Sequence, residues 1–248
     1  MRRLTVFGGL VLVVALVVVP VSVVGAAVDQ DADALWPTSL VPGVPNWPDE
    51  NSVEVGVKFV TSEQLVVTGV RFYKGSLNTG THYGTLWTDG GTLLATAEFQ
   101  NETAEGWQDV TFADPVTIVP GVVYVASYWV PVGYYAAVND YFTNQSVTVG
   151  PITGLQSVGA TSNGVYVYSE TSTFPEFSFR DSNYWVTPLW TTYCPDGWGL
   201  THIDDAPTKK NGKTADNNGD KHVCVKEVSG SGNTGQGQDV KDTAAFFE

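Results

Sequence analysis

Aromatic side chains are the residues of this chain best suited to meet a ligand: 8 Trp, 11 Tyr and 11 Phe stand among 248 residues. An exposed Tyr or Trp ring offers a flat apolar face with a polar edge, the kind of surface that stacks on a sugar ring. Tyr134, Tyr135 and Tyr141 follow Pro131 and Gly133, which predicts a loop, and Tyr83 follows His82 in the turn-like run NTGTHYG. These four tyrosines and His82 are the candidate ligand-binding residues. The competing reading places Trp87, Trp129 and Trp185 in a core and uses the tyrosines to fill its edges, because large aromatic side chains are mostly buried.

A second constellation is DNNGDKHVCVKE, from Asp216 to Glu227. Counting Asp216 as position 1 puts Asn218, Asp220, His222 and Glu227 at positions 3, 5, 7 and 12, the ligand spacing of a calcium loop. Calcium is the cofactor this spacing suggests. Lys221 stands where such loops turn on glycine, and no helical period flanks the run, so it resembles the short Asp-rich, Cys-containing loops of the excalibur type more than an EF-hand. The plainer alternative is a polar Asn-Gly turn.

Hydrolytic chemistry would need facing groups. Glu170, Glu176 and Asp181 lie near Phe174-Pro175, and two carboxylates across a cleft would suit glycoside hydrolysis, but their spacing does not pair them. No GxSxG elbow and no HExxH helix occurs in the sequence. The two cysteines, Cys194 and Cys224, read as one disulfide, which leaves no nucleophilic thiol. Such a bridge removes chain entropy worth roughly 3 to 4 kcal/mol in the loop-closure model. No catalytic residue is assigned, and the chain is expected not to be an enzyme.

The elements that must position these residues fall into five segments. Arg2 and Arg3, an apolar run from Leu4 to Val24, and the small residues through Ala27 predict a signal peptide over 1–26. The run is also near the length of a membrane span, so an uncleaved anchor is the alternative and the one route to a membrane. An acidic leader follows over 27–34. The expected compartment is extracellular or cell-surface, where a single disulfide persists. Net charge is −14, falling to −16 if Arg2 and Arg3 leave with a leader, and this repels phosphate backbones, so no nucleic-acid partner is expected.

Residues 35–191 carry the β signal. In VEVGVKFV, Val53, Val55, Val57 and Phe59 alternate with Glu54, Gly56 and Lys58, which predicts one core face. Val66, Val70 and Phe72 are expected to share a face, and VVYVASYWV at 122–130 is apolar on both faces, as a central strand is. Turns at Asp89-Gly90-Gly91, Glu105-Gly106, Pro120-Gly121 and Asn163-Gly164 are spaced as in an antiparallel β-sandwich. The fold class is all-β, with a jelly-roll or galactose-binding-like sandwich preferred over an immunoglobulin-like one. Residues 139–163 show no regular pattern. Beyond the sandwich, 192–228 predicts a small disulfide-closed polar lobe and 229–248 a flexible tail containing SGSGNTGQGQ.

An ordered series of motifs carries a family resemblance: RFYKG at 71–75, NTGTHYGTLW at 78–87, GTLLATA at 91–97, NETAEGWQDVTF at 101–112, PGVVYVASYW at 120–129, GVYVYS at 164–169 and SNYWVTPLW at 182–190. Together they resemble a family of secreted bacterial β-sandwich modules known as domain of unknown function 4082. The resemblance implies a secreted, surface-associated module and no established ligand or reaction. The functional expectation is a non-catalytic binding module that meets an extracellular glycan or another cell-surface polymer through aromatic loop residues. A structural or adhesive spacer is the alternative, and a carbohydrate-active enzyme the third.

Overall fold

The computed structural model describes residues 34–159, 161–194, 199–202, 222–228 and 237–242. The expected signal peptide and the leader up to residue 33 lie outside the described residues. Strands and turns, with no helix, make up the described residues.

β1 (Val53–Thr61) forms where valines alternate, and Val53, Val55, Val57 and Phe59 are at most 1 % exposed. The antiparallel partner of β1 is β6 (Tyr124–Val130), with Val53 opposite Val130 and Phe59 opposite Tyr124. β3 (Tyr83–Thr88) flanks β6 on its other side, so β6 is central, as its two apolar faces predict. After the Asp89-Gly90-Gly91 turn, β4 (Leu93–Glu98) forms one edge of this sheet. At the other edge lie β9 (Val165–Tyr168) and β10 (Phe177–Ser178), giving the order β10-β9-β1-β6-β3-β4.

The second sheet has the order β11-β2-β5, built from β2 (Leu65–Lys74), β5 (Gly106–Ile118) and β11 (Val186–Thr192), all antiparallel. The sheets meet over an aromatic core. Phe72 of β2 stacks on Tyr128 of β6 at 4.1 Å and meets Phe99 edge-on at 4.8 Å. Burying each such side chain contributes roughly 1.5–3 kcal/mol. The chain is therefore an all-β antiparallel sandwich.

Three expectations are revised. Val66 does not share the face of Val70 and Phe72: Leu65 and Val67 are buried before the irregularity, Val70 and Phe72 after it, and Val66 is half-exposed. The cause is a bulge at Thr68, where Gly69 faces Leu189 of β11 but Val67 faces Trp190, which switches the inward parity of β2. The supposedly unpatterned stretch 139–163 contains β7 (Val147–Val149) and β8 (Ile152–Gly154), a hairpin turned at Gly150-Pro151 and added to the Phe59–Thr61 end of β1. A hairpin this short lies below the length at which alternation can be read.

The third revision concerns the tail. β12 (Gly199–His202), β13 (His222–Val228) and β14 (Gly237–Asp242) form a three-stranded sheet in that order, and β14 lies inside the segment expected to be flexible. Val240 pairs with Val225, and the ladder runs from Val223 to Val228. A backbone ladder on an existing strand needs little side-chain burial, so composition does not report it. The expected Cys194–Cys224 disulfide is present, with Cα atoms 5.6 Å apart. Among the calcium-spacing residues, Asp216, Asn218 and Asp220 lie outside the described residues, while the backbone of His222 and Glu227 belongs to β13.

Candidate functional site

Strand register places a row of rings on one face. Residues directly opposite each other in an antiparallel pair share a face, and β9 sets Tyr168 opposite Val53 and Tyr166 opposite Val55. Val53 and Val55 belong to the core, so Tyr166 and Tyr168 lie on the inner, core-side face of the large sheet. Phe177 of β10 pairs with Tyr166 and continues that face. Burial then falls outward along the sheet: Val53 is 1 % exposed and Tyr168 54 %, and Val55 is 0 % exposed and Phe177 53 %. The large sheet thus extends past the cover given by β11, β2 and β5, and its overhang presents rings. Tyr166 lies 5.6 Å from Tyr168 and 6.1 Å from Phe177, centroid to centroid, and Phe179 is exposed just beyond.

A carboxylate fixes the outermost tyrosine. Asp49 Oδ2 accepts hydrogen bonds from the hydroxyls of Tyr168 (2.6 Å) and Tyr135 (3.1 Å), while Oδ1 accepts from the Asn51 backbone (3.1 Å) and side-chain amide (2.8 Å). Partial burial pulls the Asp49 carboxyl up, but the donors from Tyr168, Asn51 and Tyr135 outweigh it and hold the group below its ordinary value. Burial, and then the Asp49 carboxylate, push the Tyr168 hydroxyl up to about 12. Tyr135 and Tyr184 are raised further, chiefly by burial, and their rings meet edge-on at 5.6 Å. Beside Tyr168 opens a cavity of about 470 Å³ lined by Asn51, Ser52, Tyr168, Ser169 and Glu170.

The 131–135 loop reaches this site through a close backbone approach. Gly133 has φ +70°, and a Cβ there would lie 2.0 Å from the Asp49 carbonyl oxygen. The next residue, Tyr134, is also left-handed at φ 55°; its N–H donates to the Asp49 carbonyl at 2.7 Å and its hydroxyl to Glu50 Oε1 at 2.5 Å.

Of the expected ligand-binding residues, Tyr134 and Tyr135 come to this site, the first half-exposed and the second buried as a support for Asp49. The other three do not. Tyr83 lies on the outer face of the large sheet, 6.2 Å from Trp129, and donates to Glu98. Tyr141 packs edge-on against Phe142 and Trp185, and its hydroxyl accepts from Trp36 Nε1. His82, expected to be presented by a turn, is 0 % exposed: its Nδ1 meets Glu102 at 2.8 Å, its Nε2 meets Asn78 Oδ1 at 2.7 Å, and its ring lies 5.1 Å from Phe72. Lys74 Nζ completes that cluster at 2.7 Å from Glu102. A turn composition reports a reversal of the chain but not which way its side chains point.

Sequence reasoning passed over Asp49, Tyr166, Tyr168 and Phe177. The signal was present: GVYVYS puts Tyr166 and Tyr168 on one side of a strand, and EFSF repeats the pattern with Phe177 and Phe179. Of the three acidic residues near Phe174, Glu170 lines the cavity, Glu176 is exposed, and Asp181 accepts from the Thr143 hydroxyl at 3.0 Å.

No curated protein matches the chain. The family model described as Domain of unknown function (DUF4082) matches residues 39–186, which take in most of the ordered motifs and of the sandwich, and the chain belongs to that family.

Proposed function

We propose that this domain is a non-catalytic binding module for a neutral, hydroxyl-rich extracellular polymer, most simply a polysaccharide. The observation that carries the reading is the overhang: Tyr166, Tyr168 and Phe177 share one face that leaves the covered core, beside an open cavity. Rings of this kind stack on the apolar faces of sugars. Glu170 and the Asn51 and Ser52 side chains in the cavity wall suit hydroxyl groups, and the acidic balance disfavours anionic chains. Export supports an extracellular partner and rests on the predicted signal peptide, with which the Cys194–Cys224 disulfide is consistent.

A pull-down of the isolated chain on insoluble neutral and anionic polysaccharides tests this. Retention on a neutral polymer and release by its soluble oligosaccharides is the expected result. Retention on none favours a spacer role, and retention on anionic polymers alone contradicts the proposed chemistry.

A further inference from the structure

The other face of the large sheet holds a carboxyl group that no binding role uses. Glu54 of β1 points outward, opposite Trp129 and Val167, yet is 0 % exposed. The segment 169–176, which links β9 to β10, crosses over it as a strap. The Ser169 carbonyl accepts from Trp129 Nε1 at 3.0 Å and from the Ser52 hydroxyl at 2.7 Å. Ser172 Oγ meets Thr85 Oγ1 at 3.3 Å, and Phe174 packs edge-on against Trp87 at 5.8 Å. Beneath the strap, Glu54 Oε1 accepts from Ser127 Oγ at 2.5 Å, and Ser127 in turn accepts from Trp87 Nε1 at 2.8 Å. Glu54 Oε2 is buried with no hydrogen-bond partner among the described residues; the strap's Ser172 hydroxyl and Thr173 amide, like Ser127, pull the carboxyl toward its ionised form, and burial outweighs all three.

Among the described residues no ion pair reaches it. On β1, Lys58 is paired with Asp89 at 2.7 Å, and on β3 the Tyr83 hydroxyl is bonded to Glu98 of β4. Tyr128 of β6 interacts with Glu54 through the sheet from the inner face, and the strap carries Glu170 and Glu176. An anion here would be buried without a cation, which is costly unless the site opens to water.

We propose that Glu54 is a proton-operated latch: its neutral carboxyl lets the 169–176 strap close, and its ionisation releases the strap together with the two-residue strand β10. Burial, the dominant influence, pushes the carboxyl up to about 8, above its ordinary 4.5. The closed state is therefore fully favoured below 4.5 and loses its advantage as pH rises to about 8. Strap opening frees Phe177 and removes Ser169 and Glu170 from the cavity wall. That consequence for ligand rests on the binding reading above; the latch itself does not.

Hydrogen exchange of the full chain, followed across pH without any ligand and corrected for intrinsic rates, tests it. Opening of the strap amides should rise by about tenfold per pH unit between 4.5 and about 8, and Glu54→Gln should flatten that slope. A flat wild-type profile, or an unchanged slope in Glu54→Gln, overturns the latch. Ser172→Ala keeps the carboxyl and should raise opening several-fold at every pH with the slope retained, which decides the matter if Glu54→Gln does not fold. Unchanged exchange in Ser172→Ala also overturns it. pH-dependent opening in a protein that binds no polysaccharide upholds the latch and defeats only the binding reading.

Discussion

The hydroxyl of Tyr168 donates a 2.6 Å hydrogen bond to Asp49, a carboxylate 119 residues away that also accepts from buried Tyr135. That bond orients the outermost ring of the overhang. Asp49→Asn should lower the Tyr168 hydroxyl from about 12 toward its ordinary 10.0, since the carboxylate is among the groups raising it. Absorbance titration of the tyrosines, with Tyr168→Phe to assign the transition, checks this. An Asp49→Asn curve that superimposes on the wild type removes Asp49 as the positioning residue.

Acid should loosen the buried His82–Glu102–Lys74 cluster. Burial pulls the Glu102 carboxyl up, but the hydrogen bonds from His82 and Lys74 outweigh it and hold it below its ordinary 4.5. A depressed carboxyl stabilises the fold above that value, and this stability is lost as pH falls through the folded-state value. Glu102→Gln leaves Lys74 without its anion and should cost about 3 kcal/mol at neutral pH, read by urea unfolding. It should also flatten the acid limb of stability. An acid limb as steep as the wild type's would show that other carboxyls produce it.

Much of this arrangement is legible in the chain, and the failures share a cause. The core face of β1 and the central place of β6 follow from which positions are apolar, a local property. The exposure of Tyr168 follows from the unequal widths of two sheets, and the burial of Glu54 from a strap more than 100 residues away in sequence. Alternation assigns a residue to a face, but only tertiary placement decides whether that face is covered. Thr68 shows the converse: one bulged residue in β2 moved Val66 off the face that its spacing suggested.

Gly133→Ala should disturb two sites through one methyl group. The new Cβ would lie 2.0 Å from the Asp49 carbonyl at a left-handed φ, which costs about 2 kcal/mol or more. Thermal unfolding should show the loss, and the Tyr168 titration should shift with it as Asp49 moves. A full-stability variant would contradict the close approach.

The three-stranded C-terminal sheet should respond to reduction while the sandwich does not, because the Cys194–Cys224 bridge joins β13 to the residues just after β11. Selective loss of exchange protection in β12 to β14 on reduction is the expected result, and uniform loss would contradict it. If Asp216, Asn218, Asp220 and Glu227 ligate calcium, as their spacing suggests, chelation should cause further loss in β13, and Asp220→Ala should abolish that response. Exchange unchanged by chelator leaves a disulfide-closed polar loop.

The most direct measurement is calorimetric titration of wild type, Tyr168→Ala, Phe177→Ala and Tyr83→Ala with the soluble form of whichever neutral polysaccharide retains the chain. Loss of one stacking ring is worth about 1–2 kcal/mol, roughly a five- to thirtyfold weakening. The overhang account predicts that weakening for Tyr168→Ala and for Phe177→Ala, and wild-type affinity for Tyr83→Ala on the opposite face. Wild-type affinity in the Tyr168 and Phe177 variants, or a loss confined to Tyr83→Ala, would contradict it.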